Sequence, residues 1–275
     1  MKKVKVSDNF FLSNNSEIKF ILGPCQIESR EHTLDICDEI DKLSKKLDFK
    51  FIFKSSYDKA NRSSLKSKRG IGLIKGLDIL SEVKQKFDCP VTTDVHDSSQ
   101  CIKVKEHIDV IQIPAFLCRQ TDLLIEAGKT NLPVNIKKGQ FLAPWEILNV
   151  TKKILSTGNK KLLLTERGTM FGYNNLVSDM RSLPIMKKTG FPVIFDATHS
   201  VQQPGGMGDK SGGQREHIPS LSKAAISIGV AGLFLETHND PDNAPSDGPN
   251  MINIKHLKNL LIQLKQFDDI AKNNA

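Results

Sequence analysis

Four side chains with metal-ligating chemistry stand far apart in the sequence: Cys25, His199, Glu236 and Asp247. A thiolate, an imidazole and two carboxylates form a mixed set of soft and hard donors, which suits Zn²⁺, Fe²⁺ or Mn²⁺ better than Ca²⁺. The first three residues end or follow short apolar runs of the kind that form buried strands. On the residues alone, two readings stay open: a divalent metal site, or a buried structural cysteine with ordinary polar loop residues.

Basic residues form a second candidate group, because several of them stand at or after the ends of apolar runs. Cations that converge in one concave site repel each other unless an anion is bound. The ligands expected there are small phosphorylated or carboxylated molecules, held by bidentate arginine and by the point charge of lysine. The residues are Lys54, Lys137 and Arg167 at the run ends, and Lys59, Arg62 and Arg119 in the segments that follow.

The elements that must position these groups follow one rhythm, in which short β-branched runs alternate with longer segments of helical period. Eight β-then-α units favour a closed (β/α)8 TIM barrel. A doubly wound open sheet is the alternative, which we disfavour because no Gly-x-Gly-x-x-Gly follows the first strand. Helices are predicted over 30–47 and 73–87, and the strand-like runs are 19–27, 51–55, 91–96, 110–115, 134–138, 162–167, 193–198 and 233–237.

All eight runs carry, at or near their ends, residues that an apolar core would exclude. In a barrel these ends meet at one mouth, the C-terminal face on which such folds carry their chemistry. Closure pairs the eighth strand with the first, so it would bring Cys25 beside His199 and Glu236. Asp247, in the loop after the eighth strand, can reach the same place.

Composition limits the remaining function classes. The 275 residues are 39% hydrophobic and 25% charged, which is typical of a soluble globular protein. We predict one barrel domain over 1–275, with 1–17 as a short β-hairpin that caps the barrel bottom. We expect no membrane span and no secretory signal. Five scattered cysteines without a CxxC motif suit free thiols in a cytoplasm. The net charge of +8 comes without basic runs interleaved with aromatics, so no nucleic-acid partner is expected.

Six long motifs lie between about Gly23 and about Asp247. Residues 59–64 read Lys-Ala-Asn-Arg-Ser-Ser, and residues 113–122 read Ile-Pro-Ala-Phe-Leu-Cys-Arg-Gln-Thr-Asp. The other four occupy 135–141, 165–168, 171–175 and 196–202. All six resemble, in the same order, motifs of the 3-deoxy-D-manno-octulosonate 8-phosphate synthase family.

The resemblance implies a (β/α)8 barrel, usually a homotetramer, that condenses phosphoenolpyruvate, D-arabinose 5-phosphate and water into an eight-carbon sugar acid phosphate and inorganic phosphate. The product feeds lipopolysaccharide synthesis. Lys59, Lys137 and Arg167, with Lys54 and Gln140 nearby, match phosphoenolpyruvate-binding positions. Asn61, Arg62 and Ser63 match positions that bind the sugar phosphate. Gln112 and Ala115 are further substrate-binding candidates. Arg119 resembles a residue that reaches a neighbouring subunit's site.

The same resemblance bears on the metal. Metal-dependent members of the family have cysteine where this chain has Cys25, and metal-independent members have asparagine. The match therefore favours a divalent ion, Zn²⁺, Fe²⁺ or Mn²⁺, held by Cys25, His199, Glu236 and Asp247. Lys137, His199 and Asp247 are the candidates for proton transfer.

Two rival functions are kept. A sister enzyme class condenses phosphoenolpyruvate with erythrose 4-phosphate, and it typically carries Lys-Pro-Arg-Thr where this chain has Lys-Ala-Asn-Arg at 59–62. A non-catalytic barrel that only binds phosphometabolites is the other rival. It would be expected to have lost a cation or a metal ligand, and none of the matched positions is lost.

Overall fold

The strands of the chain are short and mostly buried. They were located in a computed structural model that describes residues 1–62, 64–65, 67–206 and 211–273. The strands are β1 (Val4–Ser7), β2 (Phe10–Leu12), β3 (Lys19–Gly23), β4 (Phe51–Lys54), β5 (Val91–Asp94), β6 (Val110–Ile113), β7 (Val134–Lys137), β8 (Leu162–Glu166), β9 (Thr169–Met170), β10 (Leu176–Val177), β11 (Val193–Asp196), β12 (Gln202–Gln203), β13 (Gly212–Gly213), β14 (Gly232–His238) and β15 (Ile252–Asn253).

The α-helices follow the barrel strands in turn and cover them from outside. Ser29 caps the first helix, since its side chain accepts a hydrogen bond from the backbone N–H of His32. The helices are α1 (Arg30–Leu47), α2 (Leu73–Phe87), α3 (Ser98–Val104), α4 (Thr121–Lys129), α5 (Ile147–Leu155), α6 (Ser182–Lys187), α7 (Ile218–Ser227) and α8 (Ile254–Asn273).

Eight parallel strands close into a barrel. Neighbouring strands pair in the order β3, β4, β5, β6, β7, β8, β11 and β14, and β14 pairs again with β3. The last pairing sets Glu236 opposite Gly23, so the two ends of the chain's sheet lie side by side. The predicted (β/α)8 barrel is confirmed, and the open-sheet alternative is wrong.

Two apolar layers hold the barrel. The larger one lies between strands and helices, where α1 and α8 bury faces that include Ile36, Ile40 and Leu261. The smaller one fills the barrel interior. There Val4, Phe10 and Leu12 of the N-terminal hairpin pack with inward-facing strand residues, which are Ile21, Ile52, Val110, Leu163, Ile194 and Phe234. The hairpin thus occupies the end of the interior opposite the strand C-termini.

Several strands end earlier than the apolar runs predict. The first run extends to residue 27, but β3 ends at Gly23. Gly23 has φ +148°, and a Cβ there would lie 2.1 Å from the carbonyl oxygen of Lys54. Glycine therefore lets two neighbouring strands approach and turns the chain toward Cys25. Among the described residues, no helix combines the length and hydropathy that a membrane crossing needs.

Candidate active site

A cavity of about 1140 Å³ opens at the C-terminal ends of the barrel strands. Cys25 and Glu236, each 1% exposed, are buried against its wall. Arg119 is exposed and is not among the lining residues, and Ser63 lies outside the described residues. Most other predicted site residues line the cavity: Lys54, Lys59, Asn61, Arg62, Gln112, Ala115, Lys137, Gln140, Arg167, His199 and Asp247.

The candidate metal ligands meet at this wall. Ligand atoms of Cys25, Glu236 and Asp247 all lie within 4.8 Å of one another. The Cys25 thiol donates to Asp247 Oδ2 at 3.0 Å. His199 does not belong to this three-residue cluster, but its Nε2 lies 3.8 Å from Glu236 Oε1. Barrel closure therefore brings Cys25 together with Glu236 and Asp247, from which the sequence separates it by more than two hundred positions, and places His199 beside Glu236.

The ring of His199 is oriented for ligation. Its Nδ1 lies 2.7 Å from Asp196 Oδ2, and its backbone N–H donates to Asp196 Oδ1 at 2.9 Å. Asp196 is fully buried and its pKa is held low: burial opposes ionisation, but the neighbouring His199 and Lys137 outweigh it. The ionised carboxylate accepts a hydrogen bond from Nδ1–H, which leaves Nε2, on the side of Glu236, as the nitrogen available to a cation. Metal-bound histidines in proteins commonly have this carboxylate partner.

The four groups fit a divalent cation. The second carboxylate oxygen of Glu236, Oε2, is buried and has no hydrogen-bond partner. Burial, with Asp247 and Glu236 next, raises the pKa of the Cys25 thiol well above its ordinary value. Lys59 and Lys54 favour the Cys25 thiolate less than burial and the two carboxylates oppose it, and Glu236 Oε2 lacks a hydrogen-bond partner. A cation bound by sulfur, nitrogen and oxygen would satisfy both.

Asp247 is placed by a strained backbone and two side chains. Its φ of +52° is in the left-handed region, which is uncommon for a residue with a side chain. Gln202 Nε2 donates to its Oδ1 at 2.9 Å, and Ser246 Oγ donates to its Oδ2 at 3.2 Å. Strained residues tend to occur where geometry serves function. Asp247 is thus held against Cys25 by contacts on both carboxylate oxygens.

Two buried lysines each pair with a carboxylate. Lys54 Nζ donates to Glu236 Oε1 at 2.6 Å and to the carbonyl oxygen of Cys25 at 2.9 Å. Lys137 Nζ donates to Asp196 Oδ2 at 2.5 Å. Burial lowers the pKa of Lys137 to about 8, although Asp196 opposes the shift. Lys137 is therefore a cation at neutral pH that can release its proton within the physiological range.

Arg167 has an unpaired donor at the cavity. Its Nη2 donates to Gln202 Oε1 at 2.8 Å, while its Nη1 is buried without a hydrogen-bond partner. A guanidinium donor left unpaired in a buried position costs free energy. An oxyanion in the cavity would remove that cost, so Arg167 marks a place for a phosphate or a carboxylate.

Arg62 connects the sugar-phosphate candidates to the metal candidates. Its Nη1 donates to Ser246 Oγ at 2.7 Å and its Nη2 to Gln26 Oε1 at 2.7 Å. Ser246 in turn donates to Asp247. An anion that binds Arg62 must share or replace contacts that hold the loop carrying Asp247.

A second group of ligand-type residues lies beside the cavity among the described residues. Ligand atoms of Glu28, His32 and His238 fall within 4.8 Å of one another. The backbone N–H of Asp240 donates to His238 Nδ1 at 2.9 Å, so the ring proton is on Nε2, which donates to Glu28 Oε1 at 2.7 Å. A protonated Nε2 has no lone pair for a cation, so we assign this group to joining β14 with the start of α1.

Several side chains of the site were not predicted. Asp196 and Gln202 support His199, Arg167 and Asp247 without belonging to the predicted set. Asp196 could have been found, since a carboxylate three residues before a histidine in a strand end is a common support for a ligand. Gln202 had no such indication, because its role depends on the path of the loop after β11.

Comparison with protein families gives a match over almost the whole chain. The family model described as the DAHP synthetase I family matches residues 2–273. The match covers the hairpin, the barrel and the loop that carries Asp247.

Curated relatives are similar over their full length as well. A protein named 2-dehydro-3-deoxyphosphooctonate aldolase from Bartonella quintana (strain Toulouse) is 58% identical over 269 residues, which cover 98% of this chain and 96% of the relative. One of the same name from Rickettsia prowazekii (strain Madrid E) is 57% identical over 272 residues, 99% of each chain.

Proposed function

The chain belongs to the DAHP synthetase I family, and from that premise we propose that it condenses phosphoenolpyruvate with D-arabinose 5-phosphate and water, giving 3-deoxy-D-manno-octulosonate 8-phosphate and inorganic phosphate. The printed name of its curated relatives supports this choice within the family. The Lys-Ala-Asn-Arg segment at 59–62 supports it too, since its side chains line the cavity in place of Lys-Pro-Arg-Thr.

The proposal depends most on the basic side chains of the cavity, one of which has a hydrogen-bond donor without a partner. Arg167 Nη1 is buried without a partner, and Lys137 and Lys59 line the same space. We assign these three, with Lys54 and Gln140, to phosphoenolpyruvate. Charges fixed in a buried site stabilise a bound anion without the reorganisation that water would need.

The second substrate is assigned to the outer part of the cavity. Asn61 and Arg62 belong to the exposed or half-buried segment after β4, and Ala115 follows β6. We propose that Asn61, Arg62 and Ser63 hold arabinose 5-phosphate, with Gln112 and Ala115 at the wall. Fixing both partners makes their encounter effectively unimolecular.

The bond changes follow from this arrangement. C3 of phosphoenolpyruvate bonds to the aldehyde carbon, water adds at C2, and the bond between C2 and the phosphate oxygen breaks. The water loses both of its protons as C2 becomes a carbonyl: one balances the proton gained by the aldehyde oxygen, and the other goes to the departing phosphate. We propose Lys137, His199 and Asp247 for these transfers; the lowered pKa of Lys137 and the ionised Asp247 suit a donor and an acceptor.

We propose that a divalent ion, Zn²⁺, Fe²⁺ or Mn²⁺, is held by Cys25, His199, Glu236 and Asp247. When bound it supplies a Lewis acid that polarises the aldehyde or acidifies water. The chain itself positions and ionises the ligands. Asp196 orients the ring of His199. Burial opposes ionisation of Glu236, and Lys54 is the neighbouring charge that does most to lower the pKa of Glu236.

A homotetramer is proposed from an apolar surface beside the mouth. The segments after β6, β7 and β8 are neighbours in the barrel and carry several large apolar side chains that are exposed in the single chain. Arg119 is exposed beside these segments and does not line the cavity of its own chain, which supports a role for it in a neighbouring subunit's site. The apolar residues are Phe116, Phe141, Trp145, Leu148, Met170, Phe171 and Tyr173.

We also propose a cytoplasmic location. All five cysteines are buried and free, as is usual in a reducing compartment.

Phosphate release in the presence of phosphoenolpyruvate and a panel of aldose phosphates tests the function. We expect rapid release with arabinose 5-phosphate and much slower release with erythrose 4-phosphate. Preference for erythrose 4-phosphate would assign the chain to the sister class, and no release with either would favour a non-catalytic binding barrel.

A further inference from the structure

A row of buried polar side chains crosses the barrel interior from β8 to β5. Thr165 Oγ1 donates to Asn135 Oδ1 at 2.6 Å, and Asn135 Nδ2 donates to Gln112 Oε1 at 3.1 Å. Gln112 Nε2 then donates to Asp94 Oδ1 at 2.7 Å. Thr165 and Asn135 are fully buried, and Gln112 and Asp94 are nearly so. Each member belongs to the strand next to that of its partner.

The direction of this row is set by Asp94. Burial opposes ionisation of Asp94, but Lys54 and Lys59 outweigh it and hold its pKa low, so both oxygens act as acceptors. Gln112 must therefore turn its NH₂ toward Asp94 and its oxygen toward Asn135. Asn135 must in turn donate with its NH₂ and accept from Thr165.

The same constraint extends to the other side of Asp94. Ser56 Oγ donates to Asp94 Oδ2, which leaves the Ser56 oxygen to accept from Lys59 Nζ at 3.0 Å. The Asp94 carboxylate thus sets which group donates and which accepts along a series of hydrogen bonds that runs from β8 to the segment after β4. Connected networks of this kind fix side chains more firmly than isolated pairs.

Two members of the row face the cavity and two do not. Asp94 and Gln112 line it, whereas Asn135 and Thr165 are not among the lining residues. We propose that Asn135 is a positioning residue, which fixes the amide of Gln112 beside Asp94 and so shapes the wall that the hydroxyls of the aldose substrate contact. Thr165 fixes Asn135. This inference rests on the proposed function.

The chemistry of the wall points to the aldose. A carboxylate repels phosphate and carboxylate groups and accepts hydrogen bonds from hydroxyls. Phosphoenolpyruvate has no hydroxyl group, while the pentose phosphate has several. The remaining N–H of Gln112 and the free lone pairs of Asp94 therefore match the sugar, and an amide turned the wrong way would present an acceptor in place of a donor.

Steady-state kinetics of Thr165→Val and Thr165→Ser tests the inference without touching a cavity residue. Valine keeps the shape of threonine and loses its donor, so we expect the KM for arabinose 5-phosphate to rise about threefold, roughly 0.7 kcal/mol. The KM for phosphoenolpyruvate should stay within about twofold, because this wall does not hold the anion. Serine keeps the hydroxyl and should restore the KM.

Asn135→Leu provides the stronger perturbation, with Asn159→Leu as its matched control. Asn159 is also a buried amide, but it donates to the carbonyl oxygens of Gly128 and Leu132 and does not line the cavity. We expect both variants to unfold at lower temperature. Only Asn135→Leu should raise the KM for arabinose 5-phosphate, by about tenfold, or 1.4 kcal/mol.

The outcomes separate the two proposals. If the unmodified chain turns over arabinose 5-phosphate, and Thr165→Val and Asn135→Leu leave both KM values unchanged or raise them equally, the positioning role is overturned while the function stands. If the unmodified chain does not turn over this substrate pair, both proposals are overturned.

Discussion

Replacing Lys54 by methionine tests how much the buried ion pair with Glu236, a candidate metal ligand, stabilises the fold before any ion binds. Lys54 is 2% exposed and Glu236 is 1% exposed, and their charged atoms lie 2.6 Å apart. Lys54→Met keeps the length of the side chain and removes its charge. Among the described residues, Glu236 then has no lysine or arginine within ion-pair distance, and His199 Nε2 lies 3.8 Å from its Oε1.

The magnitude follows from burial. Removing one partner of a buried ion pair typically costs about 3–5 kcal/mol, because the other charge is left uncompensated. A domain is commonly stable by about 5–15 kcal/mol, so this loss is a large share of the total. In Lys54→Met/Glu236→Gln no charge is stranded, and we expect most of the loss to be recovered, with about 1 kcal/mol left for the altered hydrogen bonds.

Urea unfolding of the chelator-treated chain at neutral pH measures these differences, since a bound ion would otherwise add its own stabilisation. A loss below about 1 kcal/mol for Lys54→Met, a range typical of exposed pairs, would contradict the expected cost of an uncompensated buried charge. A double variant no more stable than Lys54→Met would contradict it as well.

Three further predictions concern the substrates. Arg62→Ala should raise the KM for arabinose 5-phosphate far more than that for phosphoenolpyruvate, and equal effects in steady-state assays would contradict its assignment. Calorimetric titration should show phosphoenolpyruvate binding weaken as pH rises through about 8, where Lys137 loses the charge that attracts the anion; a pH-independent affinity from about pH 7 to about pH 9 would contradict this. At an arabinose 5-phosphate concentration too low for either variant alone to turn over, mixing Arg119→Ala with Arg62→Ala subunits should restore part of the activity if Arg119 acts in a neighbouring site, and no recovery in verified mixed oligomers would place it elsewhere.

The fold could be predicted from the sequence because strand alternation and barrel closure follow general rules. Alternation of eight runs predicted the barrel, and closure alone placed Cys25 beside Glu236. The exact strand ends could not be predicted. The end of β3 at Gly23, for example, depends on the close approach of the Lys54 carbonyl from the neighbouring strand.

The supporting side chains of the site were harder to predict than its charged ones. Asn135 and Thr165 look like polar interruptions of buried strands, and their role appears only when neighbouring strands align them. Gln202 contacts Arg167 and Asp247 through a loop whose path the residue types do not determine. Residue types predict which charges a site has, whereas the choice of hydrogen-bond partners depends on rotamers and loop geometry.

The optical spectrum of the chain loaded with Co²⁺ tests the central claim, that a thiol from the first strand's end and carboxylates from the last share one metal site. We expect a thiolate-to-cobalt charge-transfer band at one ion per chain, lost in Cys25→Ser and kept in Cys101→Ser, which replaces a buried cysteine on helix α3. A band of equal intensity in Cys25→Ser, or no band in the unmodified chain at full cobalt loading, would contradict it.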